Sequence, residues 1–128
     1  MKKYLFLPVF ALISTFSQAQ ILVAGIDVNK QDTIKVVEVL IERGAIRRSV
    51  DVFLDFGQKD NSGYRTIGIK DDDLRIIDPV TNRKMVFKST AAVINFMEKN
   101  NWLHYDTVTM AGGSSWAAYY YFRRNSGK

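Results

Sequence analysis

Cysteine is absent from this chain of 128 residues, histidine occurs once and proline twice. Without cysteine there can be no disulfide, no thiol nucleophile and no lipid anchor of the exported type, which is built on a cysteine next to the cleavage point. The lone His104 cannot make a multi-histidine metal site. No serine lies in a G-x-S-x-G elbow. There is no internal repeat, low-complexity tract or interdomain linker. The apolar run 4–13 is short for a bilayer span, and Pro8 interrupts it. No cofactor, no metal site and no membrane span are expected.

What is present at the N-terminus points to export. Lys2 and Lys3 form a positive start, residues 4–13 an apolar core, and Ser17-Gln18-Ala19 puts small residues where a signal peptidase reads. Cleavage is expected after Ala19, which makes 1–19 a secretory signal and the location periplasmic or extracellular. Losing Lys2 and Lys3 lowers the formal charge from +5 to +3. An excess of that size does not argue for nucleic acid.

The mature chain is long enough for one domain with one core. Residues 20–32 read as an N-terminal arm, 33–124 as the domain and 125–128 as a polar tail. Ile34, Val36, Val37, Val39 and Ile41 favour a strand over 33–42, with a helix as the alternative because Glu38 and Glu42 are spaced by four. Over 48–56, Val50, Val52, Leu54 and Phe56 alternate with Ser49, Asp51, Phe53 and Asp55, giving one apolar strand face. A weaker strand is expected over 64–70, followed by the acidic turn Asp71-Asp72-Asp73. Residues 74–77 and 84–87 read as a hairpin across a turn begun by Asp78, fixed by Pro79 and closed by Asn82.

Ser89 is a good N-cap for the one amphipathic helix of the mature chain, in which Val93, Phe96 and Met97 share a face. Asn100 and Asn101 end it, and Trp102 should close its end. A second hairpin joins 103–110 to 116–122 through the small residues 111–115. The fold class expected is α+β: a single, mostly antiparallel sheet of five to seven strands, with one main helix packed on one face.

The order Phe87-Lys88-Ser89, an alanine-bearing helix with Asn95, Trp102 and a final strand ending Tyr-Tyr-Tyr-Phe-Arg-Arg resembles small exported proteins of unknown function from Bacteroides-type bacteria. In those a glycine precedes the tryptophan, where this chain has Asn101. The resemblance implies an α+β sheet domain and carries no functional residue over.

Few residues suggest chemistry. The spacing of Asp71, Asp72, Asp73 and Asp78 is not that of a calcium loop. His104 could act as a general base, and Asp106 two residues on shares its strand face. Asp51 and Asp55 lie roughly 13 Å apart on a regular strand, wider than the roughly 5–9.5 Å of glycosidase pairs. Gly112-Gly113 lacks the lysine and the strand-to-helix setting of a phosphate loop.

The aromatic strand 116–122 is richer. If Trp116, Ala118, Tyr120 and Phe122 face the helix, Tyr119, Tyr121 and Arg123 point the other way, onto the side of Phe53, Asp51 and Asp55. Such a face suits a partner. The expected function is an exported, non-catalytic binding or self-association module, with a homodimer or an envelope protein or glycan as partner. The alternatives are a small secreted hydrolase using His104 with nearby carboxylates, or an inhibitor of a secreted enzyme.

Overall fold

The computed structural model describes residues 20–44, 46–58, 74–110 and 116–127. The expected signal, the strand over 64–70, the acidic turn at 71–73 and the hairpin tip at 111–115 lie outside these residues.

Seven strands and one helix follow in the order β1 (Leu22–Val23), β2 (Ile26–Asp27), β3 (Val36–Arg43), β4 (Asp51–Asp55), β5 (Ile76–Ile77), α1 (Thr90–Lys99), β6 (Trp102–Met110) and β7 (Trp116–Arg124) among the described residues. They form two antiparallel sheets, one of three strands in the order β2-β1-β5 and one of four in the order β4-β3-β7-β6. The expectation of one sheet of five to seven strands is thereby corrected, while the broader α+β class fits.

The reason lies in the N-terminal segment. Ala24 and Gly25 both take left-handed backbone angles, with φ of 51° and 76°. That is the two-residue turn that matches hairpin twist. The little hairpin it closes then takes Ile76 and Ile77 as partners, through Val23 and Leu22. The expected hairpin around Asp78 survives as a tight turn. The Asp78 carboxylate accepts from the amides of Val80 and Thr81 at 2.8 and 3.3 Å, and the return strand meets Ile77 only through a single bridge to Lys84. The segment read as an arm therefore belongs to the core, into which it sends fully buried Ile21, Val23 and Val28.

The larger sheet follows the alternation of its sequence. Val37, Val39 and Ile41 of β3, Val52 and Leu54 of β4, and Ala118 and Phe122 of β7 are all buried. They share one core with Val93 and Met97 of α1. The helix begins at the Ser89 hydroxyl, which accepts from the amide of Ala92 at 3.1 Å. It stops where Asn101 turns left-handed at a φ of 66°. Phe96 departs from expectation: it is only half-buried, its ring set edge-on to Phe87 at 5.3 Å. Phe87 shields it, and Val93 and Met97 fill the space beneath the helix.

Trp102 is fully buried and is the anchor between the two ends of the chain. Its indole nitrogen donates to the Asn29 side chain at 2.7 Å. The Asn29 amide in turn donates to Asn100 at 3.3 Å, and Asn100 donates to the Phe96 carbonyl at 2.7 Å. The Arg124 guanidinium lies over the indole, 4.8 Å from the ring centre, and donates to the carbonyls of Val28, Asn29, Gln31 and Ile34 at 2.9–3.1 Å. One arginine thus reaches four carbonyls of the N-terminal segment, two of which also accept backbone amides, and holds the segment against the last strand.

Candidate ligand-binding face

The side of the larger sheet turned away from the core is assembled by cross-strand register. β3 sets Glu38 opposite both Asp55 and Tyr121, and Leu40 opposite both Phe53 and Tyr119. Glu42 is opposite Asp51, and Val36 is opposite Arg123. The six residues expected on this face, Asp51, Phe53, Asp55, Tyr119, Tyr121 and Arg123, therefore do share it, since opposed residues in a sheet point to the same side. The N-terminal segment does not lie over Tyr119 and Tyr121. Its bonds to Trp102, Asn100 and Arg124 hold it on the core side.

The six are not equally presented. Phe53 is buried beneath Arg75, whose guanidinium sits 4.0 Å above the ring centre. Arg75 also bonds the Asp51 carboxylate at 3.0 Å, and Arg47 bonds its other oxygen. The Asp55 carboxylate accepts from the Gly57 amide at 2.8 Å. The β4 side of the face is thus taken up by its own contacts, and the open ring surface lies over β7 and β6.

A bulge in β6 enlarges that surface. The register with β7 slips between His104 and Asp106, so that His104 opposes Phe122 and Asp106 opposes Tyr121. The extra residue, Tyr105, has its ring 6.4 Å from that of Tyr121. Beyond the bulge every β6 side chain is on the opposite side from where strict alternation would put it. Val108 comes to lie beside Tyr119. Tyr105 and Val108 are each 49 % exposed, and Val36 is 47 % exposed.

The same slip corrects the expected pairing of His104 with Asp106. His104 remains on the core side, tilted against Tyr120 and edge-on to Phe122, with its Nε2 sharing a hydrogen bond with the Thr107 hydroxyl at 2.7 Å. Asp106 is turned outward, and its carboxylate accepts from the Thr107 amide at 2.8 Å. Among the described residues no group of three or more histidine, aspartate or glutamate side chains is placed to hold a metal ion. Tyr105 and Val108 were missed in the sequence because neither Tyr105 nor its neighbours carry the glycine that sometimes marks a bulge, and Glu38 because its spacing from Glu42 also fits a helix.

Tyr121 holds the centre. Its hydroxyl donates to the Glu38 carboxylate at 2.9 Å. Partial burial, then this bond and the charge of Glu38, with Tyr119 and Tyr105 adding to them, push its hydroxyl up to about 12. The pKa is raised in the folded state, so the contribution to stability is complete below the unfolded tyrosine value near 10 and is lost as the pH rises through the folded value. Ultraviolet titration should therefore place Tyr121 above the ordinary tyrosine range, where burial also raises Tyr120, and Glu38→Gln should lower Tyr121 alone. A Tyr121 that Glu38→Gln leaves unchanged would refute the coupling.

Among the described residues no helix is long and apolar enough to cross a membrane. Comparisons with protein-family models, with curated proteins and with solved structures find no match to this chain.

Proposed function

We propose that this protein is an exported, non-catalytic binding module, and that its ligand face is the outer side of the larger sheet around Tyr105, Tyr119 and Tyr121. The observation that carries the reading is the ring cluster that the β6 bulge completes, with Val36 and Val108 exposed beside it. Rings with polar tips next to carboxylates suit a glycan, whose flat apolar faces stack on tyrosine and whose hydroxyls donate to acids. Glu38 and Asp106 favour a glycan over a second copy, because acids on a self-complementary surface face like charges. Export rests on Lys2, Lys3, the apolar stretch and Ser17-Gln18-Ala19, and the resemblance to exported Bacteroides-type proteins agrees with it. The separation of His104 from Asp106 leaves the hydrolase alternative without its acid–base pair.

The protein secreted by its cell should have the intact mass of a chain starting at Gln20. Full-length protein held in the cytoplasm would count against export. For the face, the combined Tyr105→Ser and Val108→Ser variant is compared with wild type by intrinsic fluorescence against chitin and glucan oligomers, with mass in solution measured in parallel. Expected is ligand-dependent quenching that the variant loses, with an unchanged unfolding midpoint. No quenching by any oligomer, with a dimer that the variant dissociates, would replace the glycan with a second copy. Loss of folding would place these side chains in the core and end the proposal.

A further inference from the structure

A second surface lies beyond β4, on the segment that runs from the Asp78 turn into α1. Its backbone is tied down on both flanks. The Met85 amide donates to the Ile76 carbonyl at 2.8 Å, and the Val50 amide donates to the Phe87 carbonyl at 3.0 Å. Phe87 is buried against Phe96 and Met85 is half-buried. By alternation Lys84, Val86 and Lys88 form an outward row, and all of them are exposed. Val86 keeps 70 % of its surface in water, an unusual placement for a valine in an extended segment packed on both flanks. Arg83 and the 91 % exposed Val80 extend the row at the turn. At its other end the Val50–Phe87 bridge brings up the loop with Arg48 and the 96 % exposed Ile46.

The charges here are open. Among the described residues Arg48, Arg83, Lys84 and Lys88 make no ion pair. Among the described residues the nearby acids Asp51 and Asp78 are committed elsewhere, Asp51 to Arg47 and Arg75, and Asp78 to the amides of its own turn. The segment therefore alternates unpaired cations with uncovered aliphatic side chains. Lysine is depleted from protein interfaces, and among the described residues of the row no ring is exposed to read a base or a sugar. At a bilayer surface the two elements act together: the cations meet headgroup phosphates while short apolar side chains enter the interfacial layer.

We propose that the Lys84-Val86-Lys88 row, with Arg48, Arg83, Ile46 and Val80 around it, docks the protein on an anionic phospholipid surface. It is a contact apart from the tyrosine face, which is left free to bind. Each cation near such a surface strengthens binding roughly fivefold at low salt, and the effect shrinks as the Debye length shortens.

The test is co-sedimentation with vesicles of phosphatidylcholine containing a minority of phosphatidylglycerol, and with vesicles of phosphatidylcholine alone. All variants are purified with the same N-terminus as the wild type, established by intact mass. Expected is binding to the anionic vesicles only, weakened by salt. The variant Lys84→Gln with Lys88→Gln should bind roughly twenty-fold more weakly. Val86→Ser should weaken binding with no change in charge, and all of these should unfold at the wild-type midpoint. The exposed pair Lys35→Gln with Lys99→Gln removes the same charge elsewhere and should bind like wild type. The proposal is overturned by absence of binding to anionic vesicles, by an equal loss in the control pair, or by capture on soluble polyphosphate with none on vesicles.

Discussion

Trp102→Ala is expected to leave a chain with no cooperative unfolding transition at ambient temperature. Trp102 is fully buried, its indole nitrogen holds Asn29, and its ring carries the Arg124 guanidinium. Truncating a buried tryptophan costs about 3–5 kcal/mol through lost contacts and the cavity left behind. A small domain has only about 5–15 kcal/mol in total, and here no disulfide limits the unfolded state. The same change strips the Asn29 carbonyl of its donor in a half-buried site, which adds to the loss. Phe96→Ala should cost about half as much, because Phe96 is only partly covered. The check is urea denaturation followed by far-ultraviolet circular dichroism. A Trp102→Ala midpoint near that of wild type would show that the helix and N-terminal segment hold together without the indole.

Arg124→Ala should destabilise by about 3 kcal/mol, and Arg124→Lys should recover less than half of that. Four carbonyls from Val28 to Ile34 each lose a donor at once, although those of Val28 and Gln31 keep the amides of Gln31 and Ile34. Lysine has the charge without the planar fork, so it can serve one or two of these oxygens and stacks poorly on the indole. Amide exchange distinguishes this from a general loss of stability: protection should fall first over 21–31 in both variants, while β3 and β7 keep theirs. Uniform loss across the chain would mean that Arg124 acts through the whole core.

How far the sequence could be read varies with the kind of signal. The Ser89 cap, the stop at Asn101 and the inward Val52 and Leu54 of β4 and Ala118, Tyr120 and Phe122 of β7 were legible, because each follows from local chemistry or period-two alternation; Trp116, expected in the same row, is 40 % exposed at the strand's start. The outward set from Asp51 to Arg123 was legible for the same reason, although not its cover, since nothing local places Arg75 over Phe53. The division into two sheets turned on Ala24 entering a left-handed turn beside Gly25, which alanine does not advertise. The β6 bulge carries no glycine, and it moved Asp106 away from His104 and Val108 onto the tyrosine side. Arg124 stands in the sequence as the polar last residue of the domain; its role depends on carbonyls about ninety residues earlier, a distance that no local pattern spans.

The Arg124 clasp also sets the order in which this chain can become native. Its bonds join residues separated by 90 to 96 positions, and the Trp102–Asn29 bond spans 73. Closing loops of that length is slow, and no partial chain emerging from its N-terminus contains both halves of the contact. The segment 28–34 therefore gains its bonds to Arg124 only after β7 is available, later than the pairing of Leu22 and Val23 with Ile77 and Ile76. For a chain exported as proposed above, that order delays the final lock until β7 has crossed.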